Sequence, residues 1–234
     1  MRSVEALVDR QIKRRELAQR AAEAKADTGE EEKPAPLRVV TISRQAGSGG
    51  RTLAPRIASL LDFEFIDRQI LDLLVKNTGA RERLINSLDE RTRSGIDLWV
   101  EGALTRRYVD RAEYTQWLAK TIVALAEHGD SVILGRGGNV ILGPRGGLHI
   151  RVVAPKEIRT ENLVKYDGLS PDDARKRIEK LDGERRRFYR EGFGADIDNP
   201  EDYHLIINMG RIDLESAAEV VLAAWKRHLA AARA

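Results

Sequence analysis

Val39-Val40-Thr41-Ile42-Ser43-Arg44-Gln45-Ala46-Gly47-Ser48-Gly49-Gly50-Arg51-Thr52-Leu53-Ala54 is the stretch from which the rest of this 234-residue chain can be read. It opens with four β-branched residues in a row, Val39 to Ile42, which are stiff at χ1 and suit an extended strand buried on both faces. Glycines at 47, 49 and 50 then let the chain curl, and an amphipathic helix follows. A turn of this composition points successive backbone N–H groups inward, and the helix behind it adds the positive end of its dipole. Anions bind at such a place. A flexible turn with no ligand is the alternative reading of this string alone.

Outward from this unit, short apolar runs alternate with helical stretches. Strands are expected at Leu37 to Ile42, Phe63 to Ile66, Ser131 to Leu134, His149 to Val153 and Leu205 to Asn208. The fold class is therefore α/β, a five-stranded parallel sheet flanked by helices. Arg68 to His128 reads as a long helical stretch. Ser170, Pro171, Asp172 and Asp173 supply a cap, a first-turn proline and acids on the dipole for a helix toward Arg187. After Asp213 a last helix places Leu214, Ala218, Val221, Leu222, Trp225 and Leu229 on one face. Residues 1–36 stand apart as a charged helical arm and linker, with Val4, Leu7, Val8 and Ile12 in one apolar stripe that falters before Leu17. The arm is either solvated or packed on a partner subunit, so a homo-oligomer built through it is one expectation.

Composition excludes several classes. There is no cysteine, hence no disulfide, thiolate nucleophile or zinc-thiolate site. Lys+Arg 40 against Asp+Glu 37 leaves +3, too small a field for wholesale nucleic-acid binding. No run approaches the ~20 apolar residues of a membrane span, and Met1 to Ala26 lacks the apolar core of a signal peptide. A cytoplasmic protein is expected, with neither nucleic acid nor membrane as partner. His128, His149, His204 and His228 are scattered, without metal-ligand spacing, and read as surface or helix-end residues.

Against the phosphate-binding string G-x-x-x-x-G-K-[ST], the window Gln45 to Thr52 keeps Gly50 and Thr52 but has Gln45 for the first glycine and Arg51 for the lysine. Arg51 keeps the charge on a planar fork in place of a point charge. Together with Phe65-Ile66-Asp67-Arg68, with Val132-Ile133-Leu134-Gly135-Arg136-Gly137-Gly138 and with an arginine-rich helix, the string from Ile42 to Arg51 resembles the cytidylate kinase-like family of P-loop nucleoside monophosphate kinases. The resemblance runs from Leu37 to the C-terminus and leaves the arm outside. It implies a P-loop kinase domain over 37–234, with a helical acceptor-binding insert at about 68–128 and a mobile, arginine-rich lid at about 170–195. The implied activity is transfer of the ATP γ-phosphoryl group to CMP or dCMP with Mg²⁺.

Phosphoryl transfer needs its phosphates held in line, water excluded and charge neutralised. Gly47, Ser48, Gly49, Gly50, Arg51 and Thr52 would cradle the donor, with the Thr52 hydroxyl on Mg²⁺. Asp67, at a strand end, would orient the acceptor or bind magnesium-coordinated water, or else cap the next helix. Arg44, Arg68 and Arg136 are acceptor-phosphate candidates, although Arg136 also fits a solvated loop. Five arginines between Arg177 and Arg190, with Gly183 as a hinge, suggest a closing segment. Lys180, Asp182, Arg185 and Arg187 resemble the family's charged lid positions, with Arg185 and Arg187 in catalytic roles beside Arg51 and Asp67. A surface charge run is the alternative. Gly135 stands where the family carries an acid, and the insert around Trp99, Arg106, Arg107, Tyr108 and Trp117 departs from the family's pocket. Those aromatics read better as core than as a base platform. A kinase for another small phosphate acceptor and a non-catalytic nucleotide-binding regulator are the competing functions.

Overall fold

The computed structural model describes residues 3–26, 37–105, 113–143 and 146–233. Strands β1 (Val39–Arg44), β2 (Glu64–Ile66), β3 (Ser131–Leu134), β4 (Leu148–Val153) and β5 (Leu205–Asn208) form one sheet in the order β2-β3-β1-β4-β5, every pair parallel. β1 is central, Val40 lying opposite Val132 on one side and Leu148 on the other. Its residues from Val39 to Ser43 are buried, which is why the run carries no polar alternation. It begins later than Leu37 and runs past Ile42, because pairing with β4 continues through Arg44 opposite Val152.

The helices are α1 (Val4–Ala26), α2 (Gly50–Leu61), α3 (Arg68–Lys76), α4 (Thr78–Asn86), α5 (Glu90–Thr105), α6 (Glu113–His128), α7 (Gly138–Leu142), α8 (Lys156–Asp167), α9 (Pro171–Phe193) and α10 (Leu214–Arg233). Two cores result. On one sheet face, Leu53 and Ile57 of α2 and Val221 and Trp225 of α10 pack on Val40, Ile42, Val132 and Ile150, with Phe63 edge-on to Trp225 at 5.5 Å. On the other, the layer of α3 to α6 buries Leu71, Leu84, Ile96, Leu118 and Ile122 against Val39, Ile66 and Ile133. Trp99 and Trp117 belong to this second core: the Trp99 indole donates to the Ile141 carbonyl at 3.0 Å, and the Arg81 guanidinium lies 3.8 Å above the Trp117 ring. Arg106, Arg107 and Tyr108 fall outside the described residues.

The N-terminal helix is part of this layer, in contrast to a free arm. Leu7, Val8 and Gln11 are fully buried, and α1 lies on α3, α4 and α6 of its own chain. Arg10 pairs with Glu64 at 2.5 Å, Arg14 donates to the Asp62 carbonyl at 2.7 Å, and Arg15 donates to the Glu127 carbonyl. The stripe read as part of an arm either solvated or packed on a partner subunit thus meets the chain's own α3, α4 and α6. The expected linker, Thr28 to Pro36, lies outside the described residues.

α9 starts as expected, Ser170 capping the Asp173 amide at 3.2 Å and Pro171 at its first turn, but it runs unbroken to Phe193. Gly183 sits inside this helix with open space where a side chain would be, so it makes no hinge in this structure. Of the histidines, His204 is exposed and His128 and His228 lie near helix ends, as expected, while His149 departs from the expectation. His149 is buried in β4, its ring 5.1 Å from His204, which lies 5.3 Å from His228; His128 is buried at the end of α6. Strand register and α10 gather the first three, which sequence distance conceals. No group of His, Cys, Asp or Glu among the described residues is arranged to hold a metal ion, and no described helix is long and apolar enough to cross a membrane.

Candidate active site

The site lies at the C-terminal ends of the strands, where a parallel sheet with helical crossovers leaves its crevice. From β1 the chain enters the glycine turn with Gln45 N–H on the Val152 carbonyl at 3.0 Å and the Ser48 hydroxyl on the Gln45 carbonyl at 2.9 Å. Gly47 (φ +74°) and Gly49 (φ +86°) take left-handed conformations, and a Cβ at Gly47 would stand 2.4 Å from the Arg159 carbonyl oxygen. Thr52 and Leu53 both donate back to the Gly49 carbonyl, at 2.9 and 3.0 Å. Among the described residues no group accepts from the amides of Gly47, Gly49, Gly50 or Arg51. Four free donors at the N-terminus of a twelve-residue helix form an anion cradle. The side chains of Arg51 and Thr52 are exposed at its rim.

The helical hairpin α8–α9 holds this turn from the side. Asp182, buried on α9, accepts from the Ala46 amide at 2.8 Å, from Arg159 at 2.6 Å and from Arg185 at 3.3 Å, while Asn162 donates to the Gly47 carbonyl at 2.8 Å. Ala46 packs with Leu163, Ala174 and Ile178 in a small apolar cluster beneath these bonds. The arginine-rich segment is thereby docked on the turn. The pairing of Asp182 with Arg185, three residues on along the helix, is legible from spacing, whereas its contact with the backbone of residue 46 has no sequence signal.

Beside the turn, toward β3, a cavity of about 250 Å³ is lined by Arg44, Arg68, Arg136 and Arg185 and by one acid, Glu184, with Phe188 and Tyr189 on its apolar wall. Arg136, at φ +53°, forms a two-pronged pair with Asp72, Nε to Oδ1 at 2.8 Å, and its guanidinium lies 5.1 Å from the Phe188 ring centre. Asp72 also accepts from the Tyr114 hydroxyl at 2.5 Å and lies 3.5 Å from Arg68. Burial alone would raise the Asp72 carboxyl, but the bonds from Arg136 and Tyr114 outweigh it and hold it below the usual carboxylate range. Sequence reading missed Asp72, although its place four residues after Arg68 on one helix face was a usable signal. Arg185 donates to the Arg44 carbonyl at 3.1 Å; burial lowers its pKa, partly countered by Asp182. Arg44 is lowered further, to about 9, by burial first and then by the charges of Arg185, Arg51 and Arg68. Behind the wall, Arg151 joins Ser43 at 2.9 Å to Asp198 at 2.5 Å.

Two predicted residues stand differently. Arg187 is exposed and lies two residues beyond Arg185, about 200° round the helix, so it is not among the residues lining the cavity. Asp67 caps α3, its Oδ1 accepting from Ile70 N–H at 2.9 Å, and no described hydrogen bond joins it to Thr52. β3 lies between their strands, so two strand spacings, about 10 Å, separate the ends of β1 and β2. The group that Mg²⁺ arriving with a nucleotide would meet at the cradle is the Thr52 hydroxyl, the second Asp67 oxygen lying toward the end of β2. Few protein ligands suit an ion that keeps waters and binds phosphates. Gly135 offers no carboxylate.

Residues 39–211 match the cytidylate kinase-like family. The chain belongs to that family. Relatives include the cytidylate kinases of Pyrococcus horikoshii, 25% identical over 186 residues (80% of this chain, 87% of that one), and of Ignicoccus hospitalis, 23% identical over 186 residues (79% and 97%). Among solved structures, an uncharacterized protein from Eubacterium ventriosum superposes with a TM-score of 0.66 at 18% identity, covering 82% of this chain and 99% of that one, a likeness of fold. Membership in this family carries a nucleotide kinase activity, with ATP as its usual phosphoryl donor.

Proposed function

We propose that this cytidylate kinase-like protein transfers the γ-phosphoryl group of ATP to a nucleoside monophosphate, CMP or dCMP. The observation that carries the reading is the adjacency of two anion sites of different kinds: a turn with four free amides at a helix N-terminus, and beside it a cavity lined by four guanidinia. The first suits the outer phosphates of a triphosphate, with Arg51 reaching their oxygens. The second suits a phosphate monoester, whose paired oxygens match the guanidinium fork. An acceptor held by Arg44, Arg68, Arg136 and Arg185 would meet the donor at the end of β1, with Asp67 at the margin and the α8–α9 hairpin excluding water. Mg²⁺ would come as part of the ATP complex, beside Thr52.

The choice of cytosine rests on the relatives and not on a base pocket. Trp99 and Trp117 pack in the core, which favours keeping a second reading, the same transfer to a different base. A coupled ADP-release assay with CMP, dCMP, UMP and AMP tests both: preferential turnover of CMP or dCMP supports the first, and preference for another monophosphate the second. ATP binding without turnover of any acceptor would leave a nucleotide-binding regulator.

A further inference from the structure

Of the guanidinia around the cavity, Arg68 and Arg136 share Asp72, Arg185 has Asp182, and Arg151 behind the wall has Asp198. Arg44 alone of this set has no carboxylate among the described residues, and its Nε is buried without a hydrogen-bond partner. Its position is also singular. The side chain starts above the donor turn, where a Cβ on Gly50 would lie 2.7 Å from its own Cβ, and ends against the acceptor side, where a Cβ on Gly135 would lie 2.2 Å from its Nη1. Arg44 therefore spans from the first turn of α2 to the end of β3.

We propose that Arg44 is the residue that binds the phosphoryl group in transit between donor and acceptor, and that position 135 is glycine because this guanidinium fills the space a side chain would take. The inference rests on the kinase reading above and adds to it a fixed cation where the family resemblance placed an acid. In the step itself the bond from the γ-phosphorus to the β–γ bridging oxygen breaks, its electron pair leaving with ADP. An oxygen of the acceptor phosphate, already ionised, forms the new bond, so no proton need move. Arg44 keeps its protons throughout and offers two N–H groups to the equatorial oxygens, where charge is concentrated. A desolvated cation without a counter-charge costs stability in the empty protein, and the arriving phosphate relieves that cost. The downward pull on its pKa from burial and from neighbouring arginines is the same strain seen as titration.

The test uses the full chain with Arg44→Gln and Arg44→Lys. Thermal melting is followed with inorganic phosphate against sodium chloride of matched ionic strength. Wild type should melt higher with phosphate; Arg44→Gln should melt at or above wild type without phosphate and lose the phosphate response. With ATP and CMP, Arg44→Gln should lose about 10²-fold or more in kcat with the ATP KM within about threefold, and Arg44→Lys should recover part of it. The proposal is overturned if wild type shows no phosphate response, if Arg44→Gln keeps it or melts several degrees lower without it, or if its kcat stays near wild type. Should wild type turn over no monophosphate while an Arg44-dependent phosphate response persists, the kinase reading fails and the anion site at Arg44 stands.

Discussion

Replacing Asp182 by alanine should loosen the glycine turn from the helical hairpin that holds it. One carboxylate there accepts from three donors: the Ala46 amide at 2.8 Å, Arg159 at 2.6 Å and Arg185 at 3.3 Å. The Arg159 and Asp182 side chains are each 11% exposed, so their pairing is weakly screened, whereas Arg185 is longer-bonded and 22% exposed. Removing one partner of a buried ion pair costs about 3–5 kcal/mol. The partial exposure of Arg185 argues for the lower end, about 3 kcal/mol. Asp182→Asn keeps an oxygen for the Ala46 amide while losing the charge, and should cost about half as much. For a chain of this size each kcal/mol lowers Tm by about 2–4 °C, so the alanine variant should melt about 6–12 °C below wild type. Urea unfolding followed by circular dichroism gives the free energy, and hydrogen exchange at the Ala46 amide reports the local opening. An alanine variant within about 0.5 kcal/mol of wild type, with Ala46 equally protected, would show that the hairpin is not docked on the turn in solution.

Other perturbations separate chemistry from fold. Arg51→Ala, at an exposed position, should leave Tm unchanged and reduce turnover by about 10²-fold or more in the coupled assay; retained turnover would show that the cradle is wrongly assigned. Gly47→Ala meets both a positive φ and the Arg159 carbonyl at 2.4 Å, so it should lower stability by more than about 1 kcal/mol and weaken ATP-induced stabilisation in a thermal shift; a neutral outcome would contradict the turn geometry. Leu7→Ala should cost about 2–5 kcal/mol by urea unfolding, since Leu7 is fully buried under α1; a free arm would lose almost nothing. Burial holds His128 and His149 at pKa values of about 4, below the ~6.5 of an unfolded chain. Below pH 6.5 the unfolded chain therefore takes up protons that the folded one refuses. Stability should be complete above pH 6.5 and fall toward pH 4, each histidine contributing about 3 kcal/mol across that window. Urea midpoints at pH 7 and pH 5 check the sign, and His149→Gln should flatten the slope.

The inner strands were legible because burial on both faces leaves a simple trace, a short apolar run between turn residues, as in Ser131 to Leu134, observed with the expected limits. The edge strand Leu205 to Asn208 also keeps its expected limits although only Ile207 is buried in it. The start of α9 was legible for a local reason, since a capping serine, a first-turn proline and two acids act within one turn. What failed to show was long-range. The stripe Val4, Leu7, Val8 and Ile12 said that α1 has a partner but not which one, and charge balance concealed pairs as distant as Arg10 with Glu64. His149, His204 and His228 meet only because β4 pairs with β5 and α10 returns across the sheet. In the site, glycine spacing found the turn and helix spacing offers Asp72 to Arg68 and Asp182 to Arg185, but the pairing of Arg136 with Asp72 depends on residues that meet only in space.

This pairing of arginines with carboxylates is the physical point of the site. A cavity ringed by arginines would repel itself if each charge were free, and burial would deepen the penalty. Asp72 neutralises and aims Arg136 while lying near Arg68, and Asp182 ties Arg185 to the glycine turn, so most of the positive charge is fixed in direction before any ligand arrives. Pre-aimed donors need little reorganisation when negative charge develops between two phosphates, and reorganisation is the larger part of what water demands of the same reaction. On the proposed reading, the carboxylates that pair with the arginines would act on transfer by orienting them. A variant that frees an arginine, such as Asp72→Asn, is expected to bind the acceptor about as well as wild type and to turn it over more slowly. A KM rise with kcat unchanged in that variant would instead make Asp72 a binding residue and refute the pre-orientation argument.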